Sequence, residues 1–192
     1  MRNHLMIDIE TYGRTPGAAI ASIGAVFFDP HEDNLNDLPD DIPLFYKNIS
    51  LDSCLQIGLK TDAPTIEWWV KQGEEARQAL ETPTPIPVTS ALYDFKRFYW
   101  DQKEELGRRT SVYVWSHGAT FDIPMIAVAC NQIGWAEPPW VYYNCRDTRT
   151  LFDLAFKGGK PKSPASDIKH YALGDAIAQA VQVQEAYRAL GI

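Results

Sequence analysis

Residues 4–10, HLMIDIE, read as a β-strand that is apolar until two acids, Asp8 and Glu10, occur at its end. Residues 19–28 (AIASIGAVFF) read as a second strand, closed by the turn-forming Asp29-Pro30 pair, and residues 44–49 (LFYKNI) as a third. Three such strands in succession suit a meander. Residues 64–71 (PTIEWWVK) and 88–106 carry helical patterns, the first with Pro64 near its N1 position. A fourth strand follows at 111–116 (SVYVWS), alternating and β-branched, then a helix over 120–133 with Pro124 in its first turn. Residues 141–143 are the expected short fifth strand, leading into a helix over 148–156. The C-terminal run 175–190 is the clearest amphipathic helix, with Ile177, Val181, Gln184 and Arg188 stepping along its faces. Three strands, then helices alternating with further strands, imply an α/β mixed sheet covered by helices. A doubly wound nucleotide-binding fold would want GxGxxG after the first strand, and none is there.

The 192 residues suit one domain, 1–192, large enough for a substantial core, and a 45% apolar content is ordinary for a globular chain. No apolar run approaches the roughly 20 residues that span a bilayer. The first strand begins near His4, which leaves no room for a signal peptide. Cys54, Cys130 and Cys145 are odd in number and show no CxxC spacing, a pattern that suits a reducing compartment better than disulfides or zinc. The expectation is therefore a cytoplasmic protein with no membrane partner.

A net charge of −7 argues at first against nucleic acid, whose phosphates usually meet basic surfaces. The charge is unevenly spread. Residues 29–41 carry six acids and no Lys or Arg, whereas residues 146–169 carry six bases against three acids. On charge alone, a solvated face explains either run equally well.

Asp8 and Glu10 stand two apart on a strand, so both point to one face, roughly 6.5–7 Å apart at Cα. Acids that crowd together and lose hydration are relieved by a bound cation, and hard cations prefer carboxylate oxygens. An exposed strand end with two solvated acids is the plainer alternative. Asp122 closes the run Trp115-Ser116-His117-Gly118-Ala119-Thr120-Phe121-Asp122, where a strand ends, a glycine turns and a helix opens. Alone, it would simply favour the positive end of the helix dipole. Asp175 lies in His170-Tyr171-Ala172-Leu173-Gly174-Asp175-Ala176. In one straight helix His170 and Asp175 would point about 140° apart, so Gly174 is expected to separate two helical stretches and let them converge.

Taken together, DIET at 8–11, GATFD at 118–122 and HYALGDA at 170–176 resemble the three motifs of the Asp-Glu-Asp-Asp exonuclease superfamily (DEDDh, ribonuclease H-like fold), which includes polymerase proofreading subunits, oligoribonuclease and ribonuclease T. Order and spacing fit over nearly the whole chain. The opening LMIDIET, the second strand and the PTIEWW run are most similar to the small stand-alone branch of phage exodeoxyribonucleases and bacterial exoribonucleases. The resemblance implies 3′–5′ hydrolysis of single-stranded DNA or RNA to 5′-mononucleotides, using two divalent ions, Mg²⁺ or Mn²⁺, about 3.5–4 Å apart. It implies that Asp8 bridges both ions, that Glu10 and Asp175 complete the site bearing the attacking water, and that Asp122 supports the second ion. Family members take their general base five residues before the last Asp, as a His, or four before it, as a Tyr. Both occur here, as His170 and Tyr171, and the lower pKa of imidazole favours His170. His117 occupies a turn position where the family often has a structural His or Asn.

For the strand itself, Trp68, Trp69 and Trp115 are stacking candidates, although aromatics at such spacing often belong to a core. The resemblance adds Thr11, Tyr12, Gly13 and Phe121 as contacts of the terminal nucleotide. Lys157, Lys160, Lys162 and Lys169 flank the third motif, in a stretch whose Gly158-Gly159, Pro161 and Pro164 read as a loop. A homodimer is left open by the resemblance. Two other classes remain as alternatives: a binding module of the same fold without chemistry, and a metal-dependent nucleotidase or phosphatase.

Overall fold

The computed structural model describes residues 1–33, 35, 38–162 and 170–192. Five strands, β1 (His4–Thr11), β2 (Ile20–Phe28), β3 (Leu44–Asn48), β4 (Tyr113–Ser116) and β5 (Cys145–Asp147), form one mixed sheet in the order β3-β2-β1-β4-β5. The first three pair antiparallel as a meander, while β4 and β5 add in parallel beside β1. Among the described residues seven α-helices accompany them: α1 (Leu51–Gln56), α2 (Ala63–Val70), α3 (Glu74–Ala79), α4 (Val88–Glu105), α5 (Asp122–Gln132), α6 (Thr148–Phe156) and α7 (Ala172–Leu190). None of the described helices is long and apolar enough to cross a membrane.

Alternation along β1 divides the core. Leu5, Ile7 and Ile9 face one side, where α4 and α5 supply Leu92, Phe95, Met125 and Ile126. Met6 faces the other, with Phe152 of α6 and Ala176, Ala180 and Val183 of α7. Asp8 and Glu10 share the parity of Met6, so the α7 face passes from apolar to acidic as β1 reaches its C-terminal end. β2 is buried along all nine residues, as expected of a strand paired on both edges and covered on both faces. Its register with β1 slips between Glu10 and Thr11, where β1 leaves the regular ladder.

α7 lies unusually close to the sheet. Gly24 sits opposite Asp8 in the β1–β2 ladder, and a Cβ on it would come within 2.2 Å of the Ala172 carbonyl carbon and 2.3 Å of the Leu173 nitrogen. Ala172, Ala176 and Ala180 repeat every fourth residue and are fully buried, so one small-residue stripe of the helix meets a strand with no side chain at the crossing.

The structure corrects several expectations. Residues 141–143 are not the fifth strand: Tyr142–Asn144 is a 3-10 turn, with Tyr142 84% exposed, and the strand is the polar Cys145–Asp147. α7 begins at Ala172 and runs continuously through Gly174, so no break separates two helical stretches there. His170 lies outside the helix because its own backbone adopts a left-handed conformation, φ 64°. α1 and α3, each six residues long, carried too little periodicity to be read. Cys54, Cys130 and Cys145 are free thiols.

Gly24→Ala should drive helix and strand backbones apart and cost about 1–3 kcal/mol, seen as a fall of several degrees in the thermal midpoint. An unchanged midpoint would show that the crossing is looser than described.

Candidate active site

Asp8, Glu10 and Asp175 each present a carboxylate oxygen within 4.8 Å of the others. Asp8 and Glu10 come from one face of β1, and Asp175 from the first turn of α7, carried there by the close crossing at Gly24. Asp122 completes the group from the first turn of α5. It is 4% exposed, and its Oδ1 accepts the Ile9 amide at 3.3 Å. The Gln179 amide, one turn beyond Asp175, donates through Nε2 to Asp8 Oδ1 at 2.8 Å, while its buried Oε1 has no hydrogen-bond partner.

Four carboxyls in so small a volume perturb one another. Burial, then the charges of Asp122, Glu10 and Asp175, raise Asp8 well above the usual carboxylate range, partly offset by Gln179. Burial is also the main cause that pushes Glu10 up to about 8, followed by Asp175 and Asp122. Asp122 is raised by burial, against the pull of the Ile9 N–H. These are hard oxygen donors crowded at one place, and the set fits a divalent cation held by Asp8, Glu10 and Asp175 with Asp122 alongside.

Two junctions hold Asp122 in place. Asp147, the last residue of β5, accepts the Thr150 amide on Oδ1 at 2.9 Å, which caps α6, and the Ala119 amide on Oδ2 at 2.7 Å. Burial would raise its pKa, but the two amides, the Thr150 hydroxyl and the Arg149 charge together lower it. His117 Nδ1 lies 2.8 Å from Thr148 Oγ1. Between them Gly118 turns with φ 105°, a conformation that L side chains rarely adopt.

His170 stands at the edge of the acids, its Nδ1 3.8 Å from Glu10 Oε1. Its ring meets Trp68 edge-on at 4.6 Å and Trp69 at 5.9 Å. Trp69 is buried and donates its indole N–H to the Thr11 carbonyl at 2.9 Å, so it fixes the wall rather than lining it. Tyr171 turns away to pack on Tyr46, with ring centres 4.7 Å apart.

A cavity of about 340 Å³ opens beside Glu10, lined by Ile9, Thr11, Arg14, Thr65, Trp68 and Phe121 among others. α2 is pinned over it by Asp62, which accepts the Thr65 amide at 2.7 Å and the Arg14 amide at 3.1 Å. Three expected contacts lie elsewhere. Tyr12 lines a different cavity with Ile49 and Trp69, because it points opposite to Thr11. Gly13 is packed against Ala18 and Asp62. Trp115 is buried in the sheet, donating to His4 Nδ1 at 2.9 Å, and offers no stacking face. Lys169 and Pro164 lie outside the described residues. Gln179 and Thr65 were not anticipated. Gln179 is legible afterwards as a polar residue at the helical i+4 spacing from Asp175, whereas Thr65 carries no such signal.

The raised acids give a pH dependence with a definite sign. A Glu10 carboxyl at about 8 in the fold, against an ordinary 4.5, favours the folded protein below pH 4.5, and that contribution is lost as pH rises through about 8. Metal-free protein should therefore show a falling thermal midpoint across this window. Added Mg²⁺ should restore it most at the upper end, where cation binding displaces fewest protons. A Mg²⁺ shift that is constant with pH, or none at all, contradicts this account of the cluster.

The family model of the 3′-5′ exoribonuclease Rv2179c-like domain matches residues 3–187. An exodeoxyribonuclease of Enterobacteria phage T4 is 23% identical over 168 residues, spanning 77% of this chain and 70% of that protein. Among solved structures, the nuclease domain of 3′hExo, a DEDDh family member bound to rAMP, superposes with TM-score 0.54 at 14% identity, covering 96% of this chain and 91% of that one. The RNase domain of the yeast Pop2 protein gives TM-score 0.61, also at 14% identity, covering 98% and 78%. At such identities these two structures establish a shared ribonuclease H-like fold.

Proposed function

The chain belongs to the family of Rv2179c-like 3′-5′ exoribonuclease domains, within the DEDDh exonucleases, and from that premise we propose that it removes 5′-mononucleotides one at a time from the 3′ end of single-stranded DNA or RNA. The observation that carries this reading is the convergence of Asp8, Glu10 and Asp175 within 4.8 Å, beside a cavity sized for one nucleoside.

In this reading the terminal nucleoside enters the cavity between Trp68 and Phe121, its base against aromatic faces and its sugar toward Thr11 and Thr65. Thr65 Oγ1, buried and without a hydrogen-bond partner, gains one from the sugar hydroxyls. Asp8, Glu10, Asp175 and Asp122 would hold two divalent ions, Mg²⁺ or Mn²⁺. When bound, these supply the positive charge that acidifies the attacking water and stabilises the leaving 3′ oxygen. Gln179 orients Asp8 through its 2.8 Å hydrogen bond. His170 takes a proton from the attacking water, whose oxygen bonds to phosphorus as the bond to the departing 3′ oxygen breaks. Glu10, 3.8 Å from the imidazole, favours the cation that results. Trp68 and Trp69 fix the ring by packing on it, so the base is presented from a rigid wall. Lys157 and Lys162 accompany the strand outside the site.

The family takes its name from exoribonuclease activity and the phage relative from exodeoxyribonuclease activity, so both polymers are substrates to test. Labelled single-stranded DNA and RNA oligomers, digested side by side with Mg²⁺ or Mn²⁺, should yield a ladder shortening from the 3′ end, abolished in Asp8→Ala and by chelation. Cleavage of neither polymer would sink the proposal.

His170→Ala should lower the rate by about 10²–10⁴ while Tyr171→Phe keeps most activity. The reverse pattern assigns the base to Tyr171.

A further inference from the structure

The acids lie between two cavities. The first, with Glu10 and Trp68 on its wall, is assigned above to the terminal nucleoside. The second is larger, about 650 Å³, and shares Asp175 and Gln179 with the cluster, while His117, Arg149 and Lys160 also line it. No step so far uses it.

Arg149 is the second residue of α6, placed by the β5–α6 junction that Asp147 ties to the loop before Asp122. Its guanidinium lies against the bare backbone of Gly118, where a Cβ would be 3.0 Å from Nη1 and 3.4 Å from Cζ. Its field reaches both sides of that loop: it opposes the burial that raises Asp122, helps to lower Asp147, and adds to the burial that lowers His117. Among the described residues Arg149 makes no ion pair or hydrogen bond, and neither does Lys160. Asp153, one turn further along α6, also lines the cavity without pairing with Arg149.

Two cationic side chains beside a cluster of carboxylates cannot be ligands of the cation that the cluster holds. They call for an anion of their own, one step removed from it. A guanidinium with its fork uncommitted is suited to a phosphate, and an ammonium adds a point charge. A single strand whose last nucleoside fills the first cavity, and whose scissile phosphate sits on the acids, must leave on the far side, where the second cavity opens.

We propose that the second cavity binds the nucleotide immediately 5′ of the scissile bond, with Arg149 and Lys160 gripping the next phosphate of the strand. This rests on the exonuclease reading and deepens it. The acids cut between an aromatic cavity that takes a base and a basic cavity that takes a backbone.

The test is release of the first 3′ nucleotide from two oligomers, one unmodified and one with an uncharged methylphosphonate at the second linkage from the 3′ end. Wild type should cleave the modified oligomer roughly ten- to a hundredfold less well. Arg149→Gln should lose a comparable factor on the unmodified oligomer and little more on the modified one, and Lys160→Gln should behave in the same direction. Thermal midpoints of both variants establish that they fold. If wild type ignores the modification, or if Arg149→Gln and the modification multiply as independent losses, this subsite is wrong while the exonuclease reading stands. If wild type cleaves neither oligomer, the exonuclease reading fails and the subsite with it.

Discussion

Asp175 sits on a helix and Asp8 on a strand, and a helix axis normally stands well clear of the sheet beneath it because side chains from both fill the gap. Here that gap is closed at one point. Gly24 contributes no side chain, Ala172, Ala176 and Ala180 contribute only methyl groups, and the α7 backbone comes down onto β2 beside Asp8. The rest of the site follows from that contact. It sets how far Asp175 reaches, brings Gln179 one turn later onto Asp8, and places His170 at the helix entrance, next to Trp68. A larger residue at any of these small positions would lift the helix and separate the acids without touching one of them.

What is gained by closeness is opposed by charge. Carboxylates brought within 4.8 Å lose hydration and repel one another, which raises Asp8 and Glu10 above the usual carboxylate range. Hydrophobic packing on both faces of the sheet must supply the free energy to hold them there, and it is substantial: Leu5, Ile7, Phe27, Phe28 and Phe95 are among the fully buried side chains. The fold thus stores an unfavourable interaction that a divalent cation would relieve, which would link binding of the ion to stability of the domain. Strain of this kind is tolerated where function requires it and is offset elsewhere in the core.

Much of this was legible in the residues. The runs at β1, β2 and β3 are long, apolar and bounded by turn formers, and α6 begins and ends where its pattern does, at Thr148–Phe156. The acids, each at the mouth of a strand or a helix, stand out in the sequence only together, through the resemblance of their three motifs to those of the exonuclease superfamily. The failures share one physical origin, in that tertiary contacts overrode local pattern. Val141, Tyr142 and Tyr143 look like a strand, yet all three are exposed, and the polar Cys145–Asp147 forms the ladder because β4 is there to pair with it. Gly174 looks like a helix breaker, but the change of direction occurs at His170 instead. Tyr12 and Gly13 follow the first motif in sequence, but their chain direction beyond the register slip takes them from the cavity that Thr11 lines. Arg149 gave no signal beyond a basic stretch, since its role depends on Gly118, thirty-one positions earlier.

The brevity of β5 has an effect of its own. It stands at one edge of the sheet, and a sheet edge offers unpaired amides and carbonyls to any passing strand. This edge lasts three residues before Asp147 turns the chain into α6. At the opposite edge β3 gives five, with Lys47 among them, and Ile49 just beyond is already bridged to Ile86. The β5 edge in particular offers a passing strand little to pair with. The shortness that hid β5 from its sequence also guards the sheet against joining that of another molecule.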